Sequence, residues 1–140
     1  MNIRSVADIV MRQNPVTLPA GATVQQACRL MRDHRIGAIL VTAEDGKLAG
    51  LFTGRDAVGR VVAEARDPAH TPLGAVMTKD PDRLSPQANA MDALRMMQDG
   101  GYRHMPVEDH GRLVGIVSLG DFNGLERSRL DVETGFWEVL

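Results

Sequence analysis

The sequence is poor in cysteine and in aromatic side chains, and no long hydrophobic run interrupts it. Cys28 is the single cysteine, so neither an internal disulfide nor a cysteine-built zinc site can form within one chain. The four histidines have no metal-ligand spacing, and no metal is expected. Aromatic residues make up 4% of the chain and the formal net charge is −2, which argues against nucleic-acid binding by stacking and electrostatic attraction. No stretch approaches the roughly 20 apolar residues of a membrane helix, and the opening MNIRSVADIVMRQNP lacks the apolar centre of a secretory signal. These absences point to a globular protein of the cytoplasm with no membrane partner. No Ser-His-Asp order, HExxH, P-loop or GxGxxG occurs, so no catalytic residue is nominated and no enzyme is expected.

What is present is repetition. GLFTGRD at residues 50–56 returns as GIVSLGD at 115–121, each reading glycine, two apolar residues, a hydroxyl residue, two variable positions and aspartate. The register extends outward: MRQNPVTL aligns with MTKDPDRL, VQQACRLMRDHRIGAILV with AMDALRMMQDGGYRHMPV, and EDGKLAG with DHGRLVG. Self-similarity on this scale decides the architecture before any local reading. In each half an X-Pro step forces an extended piece. A helix follows, with Val24, Ala27, Cys28 and Met31, or Ala90, Ala93, Leu94 and Met97, at i, i+3, i+4 and i+7. Thr23 and Asn89 stand where N-caps belong. Then come a strand (AILVT or HMPVE), a glycine-bearing turn (EDGK or DHGR) and a second strand (LAGLF or LVGIV), the pattern of a hairpin. A closing helix carries Val58, Val61, Val62 and Ala65 on its apolar side in the first half, and Phe122, Leu125 and Leu130 in the second.

The boundaries read as repeat 1 over 1–65, a linker over 66–74 (RDPAHTPLG), repeat 2 over 75–130 and a tail over 131–140. One half alone would be marginal on surface-to-volume grounds, so the halves are expected to pack together. In the tail, Phe136, Trp137, Val139 and Leu140 form an aromatic and apolar cluster, which either folds back on its own domain or anchors a second subunit.

This ordered series, present twice, resembles the tandem cystathionine β-synthase (CBS) domain pair, or Bateman module, from Val6 to about Leu125. The resemblance implies a mixed α+β fold: two pseudo-symmetric β-α-β-β-α repeats packed into one globule, with clefts between the repeats. It also implies a regulatory, ligand-sensing role, with AMP, ADP or ATP as the ligand in those clefts and NAD or S-adenosylmethionine ranking behind them. No cofactor is required. A homodimer and an unidentified regulated protein are the implied partners. The alternative is a protein-interaction scaffold whose clefts are empty or vestigial.

The repeated motif has a purely structural explanation, since Thr53-x-x-Asp56 and Ser118-x-x-Asp121 both fit a capping box. The same residues suit a nucleotide. The helix start offers free N–H groups and the positive end of a dipole to phosphate. A Thr or Ser hydroxyl can donate to that phosphate, and an ionised aspartate can accept from ribose hydroxyls. Arg55 in the first copy, a possible bidentate phosphate donor, is replaced by Gly120 in the second. The family pattern brings the segment Arg103-His104-Met105-Pro106-Val107 toward the cleft of the other repeat. The first cleft (Thr53, Arg55, Asp56, with Arg103 and His104) is therefore expected to take the more anionic ligand, and Ser118, Gly120 and Asp121 to form the second. Val16, Ala38 and Ile39, with Met105 and Val107, are candidates for an apolar base slot; plain core is the alternative for each.

Overall fold

The computed structural model describes residues 3–134. Its helices and strands make the mixed α+β fold of tandem repeats, but the chain clusters into two compact units that do not follow the repeat boundaries. The first, here the 15–81 unit, comprises Pro15–Pro81 and Gly111–Leu113. The second, the 82–134 unit, comprises the described parts of Met1–Asn14, Asp82–His110 and Val114–Leu140.

Helix α1 (Val6–Val10) opens the chain behind a capping box of Ser5 and Asp8. It packs in the 82–134 unit: Val6 N–H donates to Ala88 O (2.8 Å), Ala7 N–H to Pro86 O (2.9 Å), and Ala90 N–H to Arg4 O (2.7 Å). Val6 and Val10 are buried in that unit's core.

In the 15–81 unit, β1 (Thr17–Pro19) pairs parallel with β2 (Ala38–Thr42), β2 antiparallel with β3 (Leu48–Thr53), and β3 antiparallel with β4 (Thr78–Lys79). Between β1 and β2 lies α2 (Val24–His34), whose capping box is Thr23 with Gln26. Val24, Ala27 and Met31 bury its stripe against Ile39, Val41, Phe52, Val61 and Leu73. Cys28, on the same stripe, is only half-buried. Burial pushes its thiol above the usual value, so it is a poor nucleophile.

The stretch read as a linker is built into this unit. Thr71 O accepts from Val24 N–H (2.9 Å) and Pro68 O from Gln25 N–H (3.1 Å), satisfying two amides at the start of α2 that have no partner inside the helix. Leu73 is wholly buried.

The closing helix of the first repeat begins as α3 (Gly54–Asp56) and continues in π-helical turns over Ala57–Val62, with Ala63 N–H donating to Val58 O (2.9 Å). This winding overturns part of the expected apolar side. A π turn takes more residues than an α turn, so side chains spaced for 3.6 residues no longer share one face. Val61 is buried, whereas Val58 and Val62 are 65% and 73% exposed.

The 82–134 unit holds α4 (Ala90–Gly100), β5 (His104–Asp109), β6 (Arg112–Ser118, its first two residues counted with the other unit) and α5 (Gly124–Thr134). Asn89 caps α4, and Gly101 closes it in the left-handed region at φ +71°. Where the first repeat has strand β1, this one has a single parallel bridge: Leu84 N–H donates to Pro106 O (2.8 Å) and Leu84 O accepts from Glu108 N–H (3.0 Å). His110 and Gly111 turn the hairpin with positive φ at both positions (50° and 82°). Met91, Leu94, Met97, Met105, Val107 and Val117 form the core with α1. Phe122 and Leu130 join it as expected, but Leu125 is 74% exposed. Helix α5 runs past the expected start of the tail, and Phe136, Trp137, Val139 and Leu140 lie outside the described residues.

Candidate functional site

Both repeated motifs sit where a strand hands over to a helical turn. In the 15–81 unit, β3 ends at Thr53, paired opposite Ala38, and Gly54 N–H donates to Gly37 O (3.1 Å). Asp56 Oδ2 accepts from Thr53 N–H (3.0 Å) and Thr53 Oγ1 (3.1 Å), while Thr53 Oγ1 accepts from Asp56 N–H (3.2 Å). The capping box is thus formed. The second carboxylate oxygen, Oδ1, has only a 3.6 Å ion-pair contact with Arg60 Nε. Arg55 is exposed.

In the 82–134 unit, β6 ends at Ser118, whose N–H donates to Asp121 Oδ2 (2.7 Å). The turn Leu119–Asp121 stops at once, because Phe122 returns to extended backbone. Its carbonyls are pinned by arginines: Arg4 Nη2 donates to Asp121 O (2.9 Å) and Arg127 Nη2 to Leu119 O. Leu119 N–H donates to Arg103 O (3.1 Å), which ties the Arg103-His104 segment to this same motif. Asp121 Oδ1 has no hydrogen-bond partner among the described residues. Gly120 is exposed, and a Cβ there would meet only Ser118 Oγ, at 3.9 Å.

His104 is half-buried. Burial holds its imidazole below the ordinary value, the Asp121 carboxylate opposes that in part, and the Arg103 charge adds to the lowering. Below the ordinary histidine value of about 6.5, the unfolded chain takes up a proton that the folded chain resists. The stability His104 contributes is therefore complete above that pH and lost as pH falls toward its folded value. Thermal melts across this range should show a loss of Tm on acidification that His104→Gln flattens; an unchanged slope would clear His104 of the effect.

The structure divides the nominated residues between the units. Thr53, Arg55, Asp56, Val16, Ala38 and Ile39 belong to the 15–81 unit; Arg103, His104, Met105, Val107, Ser118, Gly120 and Asp121 belong to the other. Ile39, Met105 and Val107 are at most 1% exposed and are members of the two hydrophobic cores, so what they can offer a ligand is backbone. Val16 is half-buried and packs against the 15–81 core, its carbonyl accepting from Leu40 N–H (3.3 Å). Strand alternation sets Ala38 on the face opposite Ile39.

The glycine heading each motif has a structural task of its own. A Cβ on Gly50 would strike Met77 and lie 2.8 Å from Thr78 O; one on Gly115 would lie 2.7 Å from both Val10 Cβ and Gln13 Oε1. In both copies the close neighbour is the chain itself, which sequence reasoning left unassigned. That reasoning missed Gln13, whose amide bonds both Ile116 O (2.7 Å) and Ile116 N–H (2.8 Å). Arg60 was missed too. It reaches Asp56 and donates to Val76 O (3.2 Å) and Met77 O (3.0 Å). Its place four residues after Asp56 was the available signal. Among the described residues no cluster of His, Cys, Asp or Glu can hold a metal ion, and no helix is long and apolar enough to cross a membrane.

The model of the CBS domain matches this sequence twice, over residues 6–63 and 73–125. The chain belongs to the CBS-domain family. It is 38% identical over 117 residues to the CBS domain-containing protein YhcV of Bacillus subtilis, spanning 84% of this chain and 81% of that one. It is 36% identical over 104 residues to CBSCBSPB2 of Arabidopsis thaliana, covering 74% of this chain but only 19% of that much longer protein. The chain spans about a fifth of the length of such plant relatives. Among solved structures, PAE2072 from Pyrobaculum aerophilum, a CBS domain protein complexed with AMP, superposes with a TM-score of 0.81 at 25% identity, covering 93% of this chain and 99% of that one.

Proposed function

We propose that this chain is a regulatory module that senses an adenine nucleotide of the AMP, ADP or ATP class at its two Ser/Thr-x-x-Asp motifs. One observation carries the reading. In both copies the aspartate spends Oδ2 on the cap and keeps Oδ1 clear of any hydrogen bond among the described residues, where a strand hands over to a helical turn. A carboxylate accepts several hydrogen bonds, so capping the turn and holding a ribose are compatible. The AMP complex of PAE2072 supports the ligand class. Arg55, exposed beside Thr53 and Asp56, makes the first motif the better seat for phosphate. NAD and S-adenosylmethionine rank behind. The function is regulation of an unidentified partner rather than catalysis, in a homodimer of the cytoplasm. Binding acts by population shift, favouring the conformation that the ligand holds better.

Titration calorimetry with AMP, ADP and ATP tests this. Asp56→Asn preserves an oxygen for the cap but removes the charge, and should weaken the tightest nucleotide by about tenfold or more, the loss of one charge-assisted hydrogen bond. Ser118→Ala with Asp121→Asn should matter less for ATP. A ligand at 100 times its Kd stabilises the fold by about 2.7 kcal/mol, so a thermal screen detects it readily. If no adenine compound shifts the melt, the nucleotide reading fails and the scaffold reading, with vestigial sites, takes its place.

A further inference from the structure

Away from both repeated motifs, the 15–81 unit carries a depression of about 510 Å³ at its turns. Lys47, from the turn between β2 and β3, lines it together with Arg112. These two cations occupy the same position of the repeat, EDGK against DHGR, and Arg112 is counted in this unit with Gly111 and Leu113. Both are exposed, and neither has an ion-pair partner among the described residues. Thr17 of β1 and Thr42 of β2 add hydroxyls to the lining. The parallel pairing of Thr17 with Leu40 and of Pro19 with Thr42, with side chains alternating along each strand, turns both threonines to one face. A single acid is present: Asp45, whose Oδ1 accepts from Lys47 N–H (3.0 Å), leaving Oδ2 open. Positive charge exceeds negative here although the chain as a whole is acidic.

We propose that this depression binds a small phosphorylated polyol of sugar-phosphate size. A phosphate monoester is a compact anion whose oxygens suit a guanidinium fork and an ammonium together. The threonine hydroxyls and the free oxygen of Asp45 then meet the hydroxyls of the carbon skeleton. The volume lies within the range of small-molecule sites, roughly 300–1,000 Å³. One repeat supplies the lysine and the other the arginine, so the site needs both copies of the duplicated turn. It is separate from the nucleotide reading, because none of its residues belongs to either Ser/Thr-x-x-Asp motif.

The probe is ribose 5-phosphate, titrated into the full chain by calorimetry with inorganic phosphate as comparison. Lys47→Ala and Arg112→Ala should each weaken binding by about tenfold, since each removes a charge-assisted contact. Both residues lie on the surface, and circular dichroism verifies that each variant is folded. Asp56→Asn should leave ribose 5-phosphate binding unchanged. The proposal is overturned if the wild-type chain shows no saturable binding in the millimolar range, or if both turn variants bind as the wild type does. It is overturned equally if inorganic phosphate binds as tightly as ribose 5-phosphate. Loss of AMP binding in Asp56→Asn with ribose 5-phosphate binding intact separates the two sites, and failure of either reading leaves the other measurable.

Discussion

Gly50→Ala is expected to destabilise the 15–81 unit by about 3 kcal/mol, at the upper end of the usual range for overpacking. The added methyl would sit on the Met77 side chain and 2.8 Å from the Thr78 carbonyl. Met77 can rotate away, but Thr78 cannot, because β4 is held to β3 through the pairs Gly50↔Lys79 and Leu51↔Thr78. Relief requires β4 to peel from the sheet, taking with it the carbonyls of Val76 and Met77 that Arg60 grips. Gly59→Ala is the control. It lies in the closing helix with nothing within 4 Å of its would-be Cβ, so the gain in helix propensity should stabilise it by about 0.5 kcal/mol. Urea unfolding of the two variants measures the contrast. Equal effects at both positions would refute the packing account.

Loss of Glu126 should be nearly as damaging. Its carboxylate accepts from Arg4 Nε (3.1 Å) and Nη2 (2.7 Å) in a fork, and also from Asn123 N–H (2.9 Å) at the start of α5. The side chain is 10% exposed, so water does little to replace these partners. Glu126→Ala removes a cap and leaves the Arg4 guanidinium without its carboxylate, for about 2 kcal/mol. Arg4→Ala with Glu126→Ala should be less than additive, since each single change already breaks the pair. The Arg4 hydrogen bonds hold Glu126 below the usual carboxylate range, more than burial raises it. The unfolded chain therefore takes up a proton first as pH drops. The pair's contribution is whole above the ordinary glutamate value and fades as pH falls toward the folded one. A stability–pH profile that loses this acid limb in Glu126→Gln would verify the linkage.

Local grammar was legible in the amino-acid order. The caps at Thr23 and Asn89, the α2 and α4 stripes, both hairpins and the hydroxyl–aspartate boxes all depend on residues a few positions apart, and all are present. What was not legible depends on distant chain. No local pattern says that α1 packs with the second repeat, or that residues 66–81 complete the sheet and helix start of the first. Val58 and Val62 carry α-helical spacing, and only the wider winding of the closing helix shows why they face outward. For Ile39, Met105 and Val107 the choice between base slot and core could not be made from residue type. Apolar strand residues look the same in either role until their neighbours are known. The charge near the second motif was likewise hidden, since Arg4 arrives there from the other end of the sequence.

That long-range tie bears on how the protein is made. Emerging from the ribosome, the 15–81 unit has all but the three residues Gly111–Leu113 in hand once Pro81 is out. The other unit must wait: Arg4 and Glu126 stand 122 positions apart, and helix α1 has no home for Val6 and Val10 until the core residues from Leu84 to Val117 are translated. Contacts this remote in sequence form slowly, and unburied apolar segments are where nascent chains stick to one another. Synthesis should therefore yield an early-folded 15–81 unit beside an unsatisfied α1 segment, which makes that segment the natural client of a chaperone.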